Sequence, residues 1–252
     1  MILLMKKIEN IAYAENPHSQ QHLDLYLPEQ DSFPLFVYFH GGGLEAGDKS
    51  NENRVYEYMA SRGIAIVTAN YRMYPSAHYP DFLCDAAAVV KWAFDHIANY
   101  GNVTDVFVGG TSAGGYISMM LCFDNRWLGA QGIDPAKIAG WVHDAGQPTA
   151  HYNVLRERGI DTRRVIVDDS APLYHVGERS EYSPMLFIVS DNDLQNRYEQ
   201  TMLMQSTLKH FGHGDKAVSV RYMHGKHCEY VNQSDENGNS VFGQIVEEFI
   251  KA

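Results

Sequence analysis

The stretch GGTSAGG (Gly109–Gly115) follows directly on the apolar run Val106-Phe107-Val108 and holds four glycines around one serine. Glycine loses more conformational freedom on ordering than any other residue, so such a cluster needs a cause. Its context supplies one: a buried strand, then Gly110-Thr111-Ser112-Ala113-Gly114, then an apolar segment of helical character. A strand that turns sharply into a helix with a serine at the apex strains the serine backbone. It also leaves no room for side chains at the flanking glycine positions. The hydroxyl then projects clear of the sheet above a helix N-terminus, which favours developing negative charge. Random ordering of this composition yields a G-x-S-x-G pattern roughly 0.1 times per chain, so placement between strand and helix carries much of the weight. A phosphate-binding reading fits less well: no G-x-x-x-x-G-K-[ST] is present, and these glycines do not form G-x-G-x-x-G.

Outward from this turn, short apolar runs alternate with longer helical patterns. The runs at 23–27, 35–40, 64–70, 105–110, 138–144, 185–190 and 218–223 read as strands. The first alternates at period two, and the others are continuous, as in strands covered on both faces. Residues 81–101 read as a helix with Asp81 as N-cap and Gly101 as stop signal. Residues 195–211 and 241–251 are also helical in pattern. This alternation implies an α/β fold with a mostly parallel central sheet and helices on both faces. Residues 123–137 and 147–180 break the pattern and read as insertions at the carboxyl edge of the sheet, forming a small cap. The expected organisation is one domain over 1–252.

Composition narrows the function classes. The 252 residues are 45% hydrophobic with a net charge of −11, which argues against nucleic acid and anionic membrane surfaces as partners. Cys84, Cys122 and Cys228 fit neither a zinc nor a C-x-x-C spacing, and an odd count suggests a reducing compartment. The opening MILLMKK has the wrong charge order for a signal peptide, and no run approaches the ~20 apolar residues of a membrane span. A cytoplasmic location is the expectation. For oligomeric state, only the general frequency of homodimers is available.

A second motif, HGGG (His40–Gly43), ends the strand at 35–40; chance yields it roughly 0.007 times in this composition. A nucleophilic serine needs backbone N–H donors aimed at an oxyanion, and three glycines let the backbone come close to a carbonyl. The expected donors are the N–H groups of Gly42, Gly43 and Ala113. His40 is expected to hold this loop through hydrogen bonds.

HGGG, then YRMYPSAHYP (Tyr71–Pro80), then GTSAGG, in this order and spacing, resembles the α/β-hydrolase fold esterases, in the hormone-sensitive-lipase-like and small acetylesterase or feruloyl-esterase-like branch. Two departures stand out. Leu44 follows HGGG where many relatives carry an aromatic, and the ~20 residues before the first expected strand are too few for the helical N-terminal cap of larger members.

The resemblance implies a Ser-acid-His chain order. The acid sits a few residues past the strand at 185–190, which implies Asp193, with Asp191 as the alternative. Ser190 stands where the family has glycine, and no proline follows Asp193. The histidine follows a glycine-containing loop after the strand at 218–223, which implies His227, with His224 as the alternative. A serine hydroxyl becomes a useful nucleophile only when a histidine takes its proton and a carboxylate orients that histidine. Cys228 reads as a small buried neighbour of the base; Asp168 and Asp169 read as braces of the inserted segment. No metal or cofactor is implied.

The expectation is therefore a serine carboxylic-ester hydrolase acting on short-acyl esters, acetyl or aryl, acetylated sugars included. Trp127, His151, Tyr152 and Tyr174 suggest a compact, partly polar pocket, and Leu44 and Tyr152 are the expected substrate contacts. An arylformamidase with the same triad is the nearest enzymatic alternative; a ligand-binding protein on the same fold is the non-enzymatic one.

Overall fold

The computed structural model describes residues 5–214 and 217–252; the first four residues of the MILLMKK opening lie outside them. Eight strands form one sheet: β1 (Lys6–Ala12), β2 (His22–Leu27), β3 (Ser32–Phe39), β4 (Ala65–Ala69), β5 (Asn102–Thr111), β6 (Gly140–Asp144), β7 (Met185–Asn192) and β8 (Val218–Lys226). Their spatial order is β1-β2-β4-β3-β5-β6-β7-β8. β1 and β2 run antiparallel to their neighbours; β3 to β8 are parallel. The helices are α1 (Asn53–Ser61), α2 (Asp81–His96), α3 (Ala113–Phe123), α4 (Asn125–Ala130), α5 (Tyr152–Glu157), α6 (Arg197–His210) and α7 (Val241–Ile250).

The continuous apolar runs follow from burial on both faces. In β3, Phe33, Leu35, Val37 and Phe39 enter the larger core with α2 and α3, while Phe36 and Tyr38 enter the smaller core with α1 and α7. Period-two alternation sends successive side chains to opposite faces, and both faces are dry, so no polar residue breaks the run. The edges obey another rule. β1 is Lys-Lys-Ile-Glu-Asn-Ile-Ala, largely exposed, and carries the charge that keeps an edge strand from pairing with other chains. β8 is the opposite edge, and five of its nine residues are exposed, Tyr222 by 53%. Its expected coverage on both faces does not hold, because among the described residues no strand lies beyond it to extend the helix layers.

Asp81 does not cap α2. Pro80 occupies the cap position, and the Asp81 carboxylate accepts the N–H of His78 from the first turn. The segment 123–137 does not cap the serine turn either. It starts at the C-terminal end of α3, about 16 Å along the helix from Ser112, and forms α4, which packs on α2 and α3. The segment 147–180 contains α5, whose Asn153 side chain donates to the Gly43 carbonyl. Among the described residues, no helix is long and apolar enough to cross a membrane.

Candidate active site

Ser112 occupies the turn between β5 and α3 with φ 57° and ψ −109°, a backbone region that costs an L-residue free energy unless its surroundings hold it there. The clamp is steric. A Cβ on Gly114 would lie 1.9 Å from the Phe39 carbonyl oxygen, and one on Gly110 would lie 2.5 Å from that same oxygen. The Ser112 N–H donates to the Asp144 carbonyl at 2.8 Å, tying the turn to β6.

His227 stands in the loop after β8. Its Nε2 is 2.8 Å from Ser112 Oγ, and its Nδ1 is 2.5 Å from Asp193 Oδ1. The Asp193 side chain has no exposed surface, whereas His227 keeps 19%. Burial opposes charge on Asp193, but the hydrogen bond and charge of His227, with the Leu194 N–H, prevail and hold the carboxyl below its ordinary pKa. The alternative pair is joined to itself: His224 Nδ1 meets Asp191 Oδ2 at 2.7 Å on the surface, with the His224 side chain 98% exposed.

The HGGG loop presses on this turn. A Cβ on Gly41 would lie 3.3 Å from Ser112 Cβ. Gly42 has φ 117° and Gly43 φ 66°, left-handed conformations that glycine adopts without penalty. Among the described residues, none accepts a hydrogen bond from the N–H groups of Gly42, Gly43 or Ala113; that of Ala113 opens α3 and has no intrahelical acceptor. His40 is buried, stacks on Tyr71 with ring centroids 4.5 Å apart, and donates from Nδ1 to the Gly41 carbonyl. Burial draws its pKa down, so it serves as a neutral brace. Tyr71 donates to the His40 carbonyl at 2.8 Å, and Arg72 grips the buried Asp85 of α2 with Nε and Nη2. Asn153 Nδ2 donates to the Gly43 carbonyl at 2.9 Å from α5.

Residues 23–131 match the BD-FAE family model. Esterase LipI of Mycobacterium tuberculosis is 31% identical over 108 residues, covering 42% of this chain and 34% of that protein. Tuliposide A-converting enzyme b1, amyloplastic, of Tulipa gesneriana is 30% identical over 120 residues, covering 41% and 32%. The chain thus spans about a third of the length of the curated relatives it matches. Among solved structures, esterase B from Lactobacillus rhamnosis (HN001) superposes with a TM-score of 0.77 at 18% identity, over 98% of this chain and 85% of that one. A truncated carbohydrate esterase from gut microbiota gives 0.80 at 16%, over 98% and 95%. The fold is that of the α/β-hydrolases.

Within this hydrolase fold, the expected contacts divide. Tyr152 is half-buried and stands beside the HGGG loop, where a Cβ on Gly43 would lie 1.9 Å from its hydroxyl. Leu44 has no accessible surface: the chain turns at φ 64° and drives it into the larger core, so it has nothing to offer a substrate. His151 is buried and caps α5 through Nδ1, Trp127 of α4 packs on Tyr79 and Arg126, and Tyr174 is 56% exposed. The four residues do not gather at one place: Tyr152 stands beside the HGGG loop with the His151 ring packed on it at 4.4 Å, whereas Trp127 packs on Tyr79 and Tyr174 is exposed. Asp168 does brace its segment, accepting from Ser170 and Arg158. Burial pushes the Cys228 thiol well up, away from nucleophilic use.

Two buried groups near the serine turn carry no motif that could have announced them. Asp144, at the end of β6, accepts from Thr111 at 2.7 Å and from Tyr230, and burial pushes its carboxyl up to about 7. Arg197, at the start of α6, donates to the Ala145 carbonyl. Neither lies in a motif; only the fold brings them beside the turn.

Proposed function

We propose that the protein is a serine carboxylesterase for small esters with short acyl groups. The observation that carries this reading is the unbroken relay from Ser112 Oγ through His227 to Asp193, at 2.8 and 2.5 Å, with the HGGG loop against the same serine. Ser112 attacks the acyl carbon while His227 Nε2 takes its proton. The N–H groups of Gly42, Gly43 and Ala113 receive the oxyanion, each such donor typically worth ~3 kcal/mol. His227 protonates the departing alcohol, a water repeats the attack with His227 as base, and the acid leaves. Asp193 holds the imidazole tautomer and stabilises its cation. The esterase relatives and the esterase structures of the same fold support the reaction class. The Tyr152 hydroxyl stands against Gly43, one of the proposed oxyanion donors, and this bulky side chain beside the donor loop supports the short chain.

Hydrolysis of 4-nitrophenyl acetate, butyrate and octanoate by the wild type and Ser112→Ala tests this. Activity should fall with chain length and vanish in the variant. Preference for octanoate overturns the short-acyl reading; activity persisting in Ser112→Ala overturns the nucleophile. Faster turnover of N-formylkynurenine than of any ester would make the same machinery a formamidase.

A further inference from the structure

A cavity of 330 Å³ opens between α5 and the start of α6, and among its lining residues are Tyr152, Thr162, Arg163, Arg164, Arg197 and Gln200. Three arginines and no carboxylate line it, in a chain with 31 acidic and 20 basic residues. Arg163 is occupied, paired with Asp161 at 2.5 Å on the exposed side. The other two have no paired carboxylate, although Asp161 also acts on Arg164 at longer range. Arg197 is 5% exposed, and its guanidinium meets only neutral acceptors: the Ala145 carbonyl and, at 3.4 Å, Gln147 Oε1. Asp193 acts on it at longer range. Among the described residues, neither Arg197 nor Arg164 forms an ion pair. A guanidinium has five N–H donors and no acceptor. Burying one without a counter-charge leaves its desolvation cost unrelieved, and an incoming anion removes that cost.

Residues of the cavity wall adjoin those of the catalytic turn and the HGGG loop. Ala145 follows Asp144, whose carbonyl accepts the Ser112 N–H. Leu194, on the cavity wall, follows Asp193, and Tyr152, also on the wall, reaches Gly43. We propose, building on the esterase reading, that Arg197 and Arg164 bind a carboxylate carried by the ester substrate, so that the preferred substrates are anionic esters. Arginine's planar fork matches a carboxylate in two parallel hydrogen bonds. Arg197 is fixed by the backbone, and Arg164, on the exposed loop at 161–165, closes on the ligand from the other side. The chemistry covers two sources, a hemiester of a dicarboxylic acid and an ester of a hydroxy or phenolic carboxylic acid.

Two isosteric pairs distinguish them. Mono-4-nitrophenyl glutarate against its terminal amide places the charge on the acyl side; 4-acetoxybenzoate against 4-acetoxybenzamide places it on the leaving group. Each rate is normalised to spontaneous hydrolysis. In at least one pair, kcat/KM should favour the anion by roughly tenfold or more at low salt, the scale of one charge-assisted contact. That ratio should shrink as salt rises and fall below one in Arg164→Glu, a substitution at an exposed position. Parity or preference for the neutral partner in both pairs overturns the proposal. Absence of turnover for all four esters would count against the esterase reading and leave the cavity to be judged by binding. In that case calorimetric titration of Ser112→Ala with glutarate, and with 4-hydroxybenzoate against 4-hydroxybenzamide, decides. Anion binding that Arg164→Glu weakens tenfold or more supports the cavity assignment, and no binding of either anion overturns it.

Discussion

Asp193 and Asp191 stand two residues apart, and each is bonded to a histidine. Replacing each by asparagine separates a working carboxylate from a surface one. In the proposed mechanism His227 becomes a cation as Ser112 attacks. Unit charges about 4 Å apart interact by about 4 kcal/mol at an effective dielectric near 20, and the Asp193 side chain has no exposed surface, so water offers little screening. Loss of that attraction alone slows the reaction roughly 1,000-fold. The asparagine amide can also donate to Nδ1 and hold the imidazole with its proton on Nε2, facing the serine it should deprotonate. The combined fall in kcat for Asp193→Asn is roughly 10⁴-fold. Asp191→Asn, which breaks only the bond to the 98%-exposed His224, should change kcat less than about twofold. The assay is kcat for 4-nitrophenyl acetate, with the thermal midpoint of each variant measured beside it. A larger loss from Asp191→Asn than from Asp193→Asn, with both proteins folded, refutes the assignment of the acid.

Other substitutions test the scaffold around the serine. Gly114→Ala places a methyl 1.9 Å from the Phe39 carbonyl; it should destabilise the fold by about 4 kcal/mol or more, or prevent soluble expression, as chemical denaturation will show. Arg72→Met leaves the Asp85 carboxylate buried without its cation and should cost about 3 kcal/mol in urea unfolding. Burial pushes Glu52 up to about 7 despite the hydrogen bond from Tyr56. A carboxyl whose folded pKa exceeds its unfolded value favours the fold at low pH, and that contribution is lost as pH rises through the folded value. Wild-type stability should therefore drop between about pH 4.5 and 7 relative to Glu52→Gln, seen as thermal midpoints that diverge with rising pH; parallel midpoints contradict it.

The parts legible in sequence were those that a local constraint writes into consecutive residues. β3 to β7 announced themselves because both faces of each are dry, and the serine turn did so because backbone approaches such as Gly114 to Phe39 admit only glycine. β1 escaped because an edge strand need not be apolar: Lys6, Lys7 and Glu9 belong to it. α1 escaped because nine residues give too few turns for a periodic pattern to stand out, although Val55, Tyr56 and Met59 bury one face. Among the site residues, Ser112, Gly42 and Gly43 lie in motifs, whereas Asp193 and His227 were separable from Asp191 and His224 only through the family resemblance. Asn153, Asp144 and Arg197 act at long range, across 110, 33 and 52 residues in their key bonds. No spacing rule predicts such contacts. Leu44 shows the converse: its position after HGGG suggested a substrate contact, but its positive φ turns the side chain into the core.

The central claim is that Ser112 is a nucleophile activated by His227. Its most direct measurement is covalent: incubate the wild type, Ser112→Ala and His227→Ala with an ethyl 4-nitrophenyl alkylphosphonate of short chain, then map the adduct by peptide mass spectrometry. The account predicts one stoichiometric adduct on Ser112 in the wild type, none in Ser112→Ala and labelling slowed at least 1,000-fold in His227→Ala. An adduct on another residue, or equal labelling rates in wild type and His227→Ala, contradicts it.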